Sequence, residues 1–324
     1  MKKLYMVTLA LVVPCYKEEE VLDETARQLT SIIENLIEEE LITKHSLIIF
    51  INDGSKDQTW PLIQSKCKEN RYVCGINLAG NVGHQNALMA GLEVAKDLCD
   101  VAISIDADLQ DDIQVIRDMV IKYGEGYDIV YGVRKQRSTD SFFKRTTALA
   151  FYKLMHTMGV KSVYNHADYR LMSKRALEFL CRFRERNLFL RGIVPLIGYN
   201  TTCVYYDRLE RMAGESKYPL SKMMNFAIDG ITSFSVKPIR CLFFLGILFL
   251  FIDALVLAYV IHALWVGEAV SGWSSLMLSV WFTSGCVLIG IGIIGEYIGK
   301  IYIEVKDRPR YNIETILLPH GDER

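Results

Sequence analysis

The sequence predicts an α/β fold with a doubly wound, mostly parallel sheet, followed by interfacial helices and two transmembrane helices. Three observations lead to this prediction. Short apolar runs alternate with amphipathic helical patterns up to about residue 132, which is typical of a parallel sheet with helices on both faces. An amphipathic stretch, 220–234, follows. Two apolar segments near the C-terminus are each about 20 residues long, enough to span a bilayer.

The elements of the first half follow from their periodicity. Five apolar runs are predicted as strands: Val7–Val13, Leu47–Ile51, Val73–Asn77, Val101–Ile105 and Ile129–Tyr131. Four amphipathic stretches are predicted as helices between or after them: Glu19–Glu39, Thr59–Glu69, Gly83–Ala95 and Ile113–Tyr123. From about 140 to 236 the pattern is more helical, with predicted helices at Phe142–Met158 and Leu220–Phe234 and a strand at Thr201–Tyr206. Leu220–Phe234 would lie in the membrane interface or pack on the globular domain.

The predicted membrane spans are Cys241–Leu264 and Ser275–Gly295. Basic residues precede the first span and follow the second, whereas Glu268 is the only charged residue in the short loop between them. Because basic residues favour the cytoplasmic side, both chain ends are expected in the cytoplasm of an inner or plasma membrane.

Three parts are therefore predicted along the chain. Residues 1–235 would form a cytoplasmic globular domain with juxtamembrane helices, 236–303 a two-helix hairpin, and 304–324 a cytoplasmic tail. The basic start and apolar run before Cys15 resemble a signal peptide, but no small-residue cleavage site follows, so this run is predicted as the first strand.

Composition excludes several classes of function. A formal net charge of −1 without a basic patch argues against nucleic-acid binding. Eight scattered cysteines without a C-x-x-C pair indicate reduced thiols in the cytosol, neither a disulfide framework nor a zinc site. No G-x-G-x-x-G follows the first strand, which argues against a nicotinamide cofactor.

The most informative motif is Asp106 and Asp108, two carboxylates directly after an apolar strand. Open α/β sheets bind ligands at the carboxyl ends of their strands, and Mg²⁺ or Mn²⁺ commonly binds one or two carboxylates plus substrate phosphates. For this pair alone, the alternative is a solvated acidic turn before the next helix. Polar loops also follow the first three predicted strands, at 14–19, 52–57 and 81–86. Four such loops at one sheet edge predict a binding site.

Together with two later motifs, 208–218 and 295–309, these loops give the chain a clear resemblance. It resembles the family 2 glycosyltransferases of the GT-A fold over nearly its whole length. It is most similar to polyprenyl-phosphate glycosyltransferases, which include bacterial undecaprenyl-phosphate glucosyltransferases and dolichol-phosphate mannose synthases.

The resemblance implies a nucleotide-sugar pocket and a divalent cation, Mg²⁺ or Mn²⁺. The nucleotide-sugar residues would be Pro14, Tyr16, Glu18, Asp53 and Asp106, although core packing is the alternative for Tyr16. The metal ligands would be Asp106, Asp108 and Gln110.

The resemblance also implies an acceptor, a lipid phosphate, and a catalytic candidate, Asp168. A phosphate is already anionic, so Asp168 would mainly orient groups or hold Arg170; the alternative is a purely structural Asp–Arg pair. Acceptor-phosphate binding would fall to cationic and hydroxyl side chains, because arginine binds phosphate oxygens bidentately. These are Arg134, Arg137, Arg208, Arg211, Ser216 and Lys217. For each arginine and lysine alone, a solvated surface charge is the alternative.

Two positions depart from the family pattern. Lys17 stands where asparagine is usual, and Asn52 replaces the first of two aspartates before Gly54. Neither change removes a predicted metal ligand, so an active enzyme is still expected.

The implied reaction is inverting transfer of a hexose, first of all glucose from UDP-glucose, to undecaprenyl or another polyprenyl phosphate. UDP-N-acetylglucosamine, UDP-galactose and GDP-mannose remain open as donors, and a homo-oligomer remains open as the assembly. A processive polysaccharide synthase is disfavoured because none of the four tryptophans follows an arginine. A membrane-anchored nucleotide-sugar-binding protein without turnover is the non-enzymatic alternative.

Overall fold

The computed structural model describes residues 6–134, 166–186, 188–207, 232, 235–266 and 272–318. The predicted helix Phe142–Met158, and all of Leu220–Phe234 except Thr232, lie outside these residues. The described part contains an eight-stranded sheet with helices packed against it, and two long apolar helices near the C-terminus.

The strands, in chain order, are β1 Leu9–Cys15, β2 Leu47–Asn52, β3 Val73–Leu78, β4 Val101–Ser104, β5 Ile129–Arg134, β6 His166–Ser173, β7 Thr201–Tyr206 and β8 Ile313–Leu317. Their spatial order is β7-β5-β6-β4-β1-β2-β3-β8. Strands β1 to β4 run parallel, as do β5 and β7. Strand β6 runs antiparallel to β4 and β5, and β8 runs antiparallel to β3. The sheet is therefore mixed, with a parallel core.

The helices of this sheet unit are α1 Leu22–Glu38, α2 Thr59–Glu69, α3 His84–Ala95, α4 Val115–Gly124, α5 Lys174–Leu180 and α6 Leu190–Ile193, the last followed by a 3-10 turn, Val194–Ile197. All six predicted strands and the first four predicted helices are confirmed, with ends that shift by at most three residues. Strands β6 and β8 were not predicted. The region of β6 had been interpreted as more helical, and a short strand such as β8 carries too weak a local pattern.

The core lies between the sheet and its helices. Every residue of β1 is buried, and the inward face of α1 packs on the sheet through Leu22, Leu29 and Ile33. Helix α3 approaches β1 and β2 so closely that a Cβ on Gly91 would stand 2.6 Å from side-chain atoms of Val12 and Ile51. A side chain at position 91 would therefore push α3 away from the strands that end in the site.

Strand register brings a distant segment to the edge where β1 to β4 end. In the antiparallel pairing of β4 with β6, Ser104 lies opposite Arg170. Asp106 follows the end of β4, Asp168 precedes Arg170 by two residues on β6, and their carboxylates lie close enough to interact electrostatically. Arg134 and Tyr206, the last residues of β5 and β7, are also paired with each other at this edge.

The two C-terminal helices form a separate compact unit, whereas the segment from Arg308 onward belongs to the sheet unit. Helix α7 covers Lys237–Val266 and α8 covers Trp273–Val305, so both contain the predicted spans and extend beyond them. Both are long and apolar enough to cross a membrane, and the apolar stretches that meet this criterion have no buried residues. Length and composition are thus consistent with the predicted hairpin.

Candidate active site

The end of β1 and the loop after it carry three of the predicted nucleotide-sugar residues. Pro14 is buried inside β1, whereas the Tyr16 side chain is 46% exposed. Lys17 follows with a φ of +57°, and its N–H donates to the Ser55 hydroxyl at 3.1 Å. The N–H of Glu18 donates to the Thr59 hydroxyl at 3.1 Å. The backbone of this loop is therefore fastened to the segment after β2, and the Tyr16 ring is left accessible.

Asp53, after β2, organises the neighbouring loop. Its carboxylate accepts hydrogen bonds from the N–H groups of Val82 at 2.7 Å and Gly83 at 3.0 Å, and from the Asn81 amide at 3.1 Å. Gly54 has a φ of +62°, and a Cβ there would lie 2.5 Å from the Asn81 nitrogen. The structure thus gives Asp53 a loop-organising role that the sequence did not predict, while its role in nucleotide binding stays a prediction.

The predicted metal residues occupy the turn after β4. The Asp108 carboxylate accepts the N–H of Gln110 at 3.2 Å, and Leu109 between them has a φ of +51°. Nε2 of His84 lies 3.5 Å from a carboxylate oxygen of Asp106, across from this turn. Gln110 is 3% exposed. Asp106, Asp108 and Gln110 are therefore brought together, with His84 beside them.

Negative charge accumulates at Asp106. Although 41% of its side chain is exposed, desolvation raises the pKa of Asp106 to about 6, and His84 opposes this rise. The nearby carboxylates add to it in the order Asp168, Asp111 and Asp108. Like charges that crowd a site disfavour further ionisation unless a cation neutralises them.

This donor set fits Mg²⁺ or Mn²⁺. Among the described residues, no three His, Cys, Asp or Glu side chains are close enough to hold a metal ion by themselves. These cations often take only one or two protein carboxylates and complete their shell with water and substrate phosphates. The crowded carboxylates of Asp106 and Asp108 match that manner of binding.

Asp168 is an ionised carboxylate held by two arginines. One oxygen accepts from Arg170 at 2.5 Å and from Arg191 at 3.3 Å; the other accepts from Arg191 at 3.1 Å. Burial alone would raise the pKa of Asp168, but the guanidinium groups of Arg191 and Arg170 hold it well below its usual range. Arg170 is almost fully buried, whereas 42% of the Arg191 side chain is exposed. The expected ion pair between Asp168 and Arg170 is present, and Arg191 is a second cationic partner of the same carboxylate.

Arg134 belongs to a second buried polar cluster. Its guanidinium donates to Asp111 at 3.0 Å and to the Tyr206 hydroxyl at 3.3 Å, and that hydroxyl donates to Asp111 at 2.5 Å. Burial alone would lower the pKa of Arg134, but the Asp111 carboxylate outweighs it and the pKa is raised. The guanidinium is therefore charged and anchored at the site edge.

Sequence reasoning missed His84, Asp111 and Arg191. His84 is the first residue of α3 and belongs to the polar stretch 81–86, and Asp111 directly follows Gln110; these positions were the available signal. Arg191 had no such signal, because only the fold of β6 brings Asp168 to it. The remaining predicted acceptor residues lie outside the described part of the chain: Arg137, Arg208, Arg211, Ser216 and Lys217.

The chain thus combines an α/β sheet with charged side chains where its parallel strands end, which is the edge at which enzymes of this class bind ligands. Residues 10–181 match the family model "Glycosyl transferase family 2". The chain belongs to that family, and it is a glycosyltransferase with the GT-A fold, as its sequence had led us to expect.

Full-length relatives agree with this assignment. The chain is 58% identical to "Uncharacterized glycosyltransferase YkoT" of Bacillus subtilis (strain 168), over 95% of this chain and 92% of that protein. It is 42% identical to "SfII prophage-derived bactoprenol glucosyl transferase" of Shigella flexneri, over 94% of this chain and 97% of that protein. The solved structure of mannosyl-3-phosphoglycerate synthase from Rubrobacter xylanophilus aligns with a TM-score of 0.46 at 15% identity, covering 69% of this chain and 71% of that one.

Proposed function

We propose that the protein transfers glucose from UDP-glucose to a polyprenyl phosphate such as undecaprenyl phosphate, with inversion at the anomeric carbon. The observation that carries the proposal is the group of interacting carboxylates around Asp106, on a chain with two helices long and apolar enough to cross a membrane. Relatives at 40–42% identity that are named bactoprenol glucosyl transferases support both the sugar and the lipid acceptor.

In the proposed reaction, an oxygen of the acceptor phosphate forms a bond to the anomeric carbon of glucose. The bond between that carbon and the donor diphosphate breaks, and UDP leaves with the electron pair. Because a phosphate monoester is largely ionised at neutral pH, the nucleophile needs no strong base. We therefore assign Asp168 no proton transfer, since two arginines keep its carboxylate ionised.

Arg191 is the proposed partner of the acceptor phosphate. Asp168 fixes its guanidinium through two hydrogen bonds, yet 42% of the side chain remains exposed. A planar, pre-oriented guanidinium suits phosphate oxygens. Arg134 would add positive charge at the same edge, and the acceptor roles of the predicted residues outside the described chain remain part of the proposal.

Asp106 and Asp108 would hold Mg²⁺ or Mn²⁺, with Gln110 beside them. When bound, the cation neutralises the charge that develops on the departing diphosphate. On the donor side, we propose that the exposed Tyr16 ring faces the base, and that Pro14, Glu18 and Asp53 shape the pocket around the nucleotide.

We propose that the globular domain, 1–235, faces the cytoplasm, that 236–303 forms the membrane hairpin and that 304–324 returns to the cytoplasm. Lys237 and Arg240 flank the start of the first apolar helix, and Lys306, Arg308 and Arg310 follow the second. This distribution of basic residues favours a cytoplasmic position for both outer ends.

The test is a transfer assay in membranes that contain the protein and added undecaprenyl phosphate. Radiolabelled UDP-glucose, UDP-N-acetylglucosamine, UDP-galactose and GDP-mannose are compared as donors. We expect a chloroform-soluble labelled lipid from UDP-glucose that disappears when EDTA removes divalent cations. A lipid product from another donor would correct the sugar, a high-mass polymer would indicate a processive synthase, and binding without any product would contradict the proposed activity.

A further inference from the structure

We propose that the C-terminal strand β8 positions the nucleotide-binding loops through a one-way chain of hydrogen bonds, and that this chain explains the asparagine at position 52. The chain runs from Glu314 through Asn77 and Asn52 to Ser55. Only the location of the nucleotide pocket beside these loops rests on the function proposed above.

The chain crosses three neighbouring strands. A carboxylate oxygen of Glu314 on β8 accepts from the amide nitrogen of Asn77 on β3 at 2.6 Å. The amide oxygen of Asn77 accepts from the amide nitrogen of Asn52 on β2 at 2.7 Å. The amide oxygen of Asn52 then accepts from the N–H of Ser55 at 3.2 Å. Asn52 and Asn77 are direct partners in the parallel β2–β3 register, so their side chains share one face.

Both ends of the chain fix its direction. A backbone N–H can only donate, and an ionised carboxylate can only accept. Each asparagine between them must therefore turn its oxygen toward Ser55 and its nitrogen toward Glu314. No other orientation of the two amides satisfies all four groups.

An aspartate at position 52 does not fit this chain of hydrogen bonds. Its carboxylate would accept from Ser55 but would have no proton to donate to Asn77. Asn77 would have to turn its nitrogen toward position 52 and its oxygen toward Glu314, where two acceptors would face each other. Since Asn52 is only 2% exposed, an aspartate there would also place a carboxylate where solvent hardly reaches it. Glu314 and Asn52 are therefore a matched pair, although 262 positions separate them.

The site end of the chain reaches the loop that carries Tyr16 and Glu18. The Ser55 hydroxyl accepts the N–H of Lys17 at 3.1 Å, so the same serine links Asn52 to the loop after β1. Next to Asn52, Asp53 holds the loop before α3. A disturbance at position 52 would thus reach both loops around the proposed nucleotide pocket.

The other end is firmly placed in the sheet. Strand β8 pairs antiparallel with β3, and just before it the Asn312 carbonyl accepts the N–H of Ala79 at 3.0 Å. Arg310 donates to the carbonyl of Phe183, and Tyr311 donates to Glu93. The segment after α8 is consequently an integral part of the glycosyltransferase domain, and Glu314 and Asn77 act as positioning residues.

The test is a rescue experiment on the full-length protein in detergent, with KM for UDP-glucose, kcat and the midpoint of thermal unfolding as readouts. We expect Asn52→Asp to raise KM about three- to tenfold, the usual range for one lost hydrogen bond, with a smaller change in kcat and a lower unfolding midpoint. Adding Glu314→Gln should restore KM to within about twofold, because a glutamine nitrogen can donate to the reoriented Asn77. Glu34→Gln, which removes an exposed carboxylate on α1, is the matched charge control and should not rescue.

Glu314→Lys provides a second variant at an exposed position, in case Asn52→Asp folds poorly. A lysine can only donate, so it should raise KM in the natural background and lower it in combination with Asn52→Asp. No rescue in either pair, or equal rescue by Glu34→Gln, would overturn the proposal. The unfolding midpoints follow the same pattern without any substrate, so a wrong choice of sugar donor would affect the transfer assay alone.

Discussion

Asp106, just after β4, and Asp168, on β6, interact electrostatically, yet their surroundings have opposite effects. Desolvation raises the pKa of Asp106 to about 6, and the neighbouring carboxylates add to this rise. Arg191 and Arg170 hold Asp168, and its pKa lies well below the usual range. The protein has therefore already neutralised one carboxylate and left the other in need of a cation. This difference supports the proposed metal binding at the β4 turn and the proposed ordering of arginines by β6.

The largest effect is expected on the Asp106 side. Asp108→Ala should reduce transfer activity at least about a hundredfold, because a ligand to the charge-neutralising cation is lost. Isothermal titration of Mn²⁺ in the presence of UDP should show a matching loss of metal binding. The control is Asp118→Ala, which removes an exposed carboxylate on α4. Unchanged activity of Asp108→Ala would refute the metal role and the comparison built on it.

Next to Asp168, Arg191→Lys should raise KM for undecaprenyl phosphate about tenfold, because lysine keeps the positive charge but cannot bind phosphate in a bidentate manner. Steady-state kinetics at saturating donor measure this effect. The control is Arg175→Lys, since Arg175 makes a similar two-pronged pair with Asp128 outside the candidate site.

The same assay distinguishes positioning from proton transfer at Asp168. Asp168→Asn should act like Arg191→Lys and leave the shape of the pH–rate profile between pH 5 and 8 unchanged, because Asp168 does not titrate there. If Asp168→Asn removed an acidic limb from that profile, Asp168 would be a base and its assignment as a positioning residue would be wrong.

Local sequence patterns were sufficient to predict the structure around Asp106. A buried apolar strand, two carboxylates and a following helix lie within 24 residues, from Val101 to Gly124, so periodicity and motif place them together. The Asp168 side depends on antiparallel pairing of β6 with β4 and β5 over more than 30 residues of chain. No local signal encodes such a pairing, which is why β6 was missed even though Asp168 itself was identified.

The same limit applies to Arg191 and Asn52. Arg191 is functionally informative only once β6 brings Asp168 beside it. Asn52 was recognised as a departure from the family pattern, but its reason lies in Glu314, on a strand that the sequence did not predict. The contacts of Arg191 and Asn52 therefore depend on partners far along the chain, which no local pattern predicts.

The smallest expected effect concerns stability in EDTA, where no cation compensates the carboxylates. Above about pH 6 Asp106 is ionised in the folded protein, although desolvation and the neighbouring carboxylates disfavour its charge. Asp106→Asn should therefore raise the free energy of unfolding at pH 7. The shift corresponds to about 3 kcal/mol at most, and to about 1 kcal/mol after allowing for solvent screening of a side chain that is 41% exposed. The gain should fade as the pH drops from 6 to 4, because the folded protein then takes up a proton at Asp106 and no longer holds the unfavourable charge.

Asp168→Asn should change stability with the opposite sign. Its lowered pKa stabilises the folded protein at pH 7, and this contribution is lost only as the pH falls below about 4, through the pKa of the folded state. Thermal unfolding of both variants in detergent with EDTA, from pH 4 to 8, measures the two trends. A shift of the same sign for both at pH 7 would show that the two carboxylates share one environment. Opposite shifts would confirm that ion pairing has already neutralised Asp168, whereas Asp106 still requires a cation.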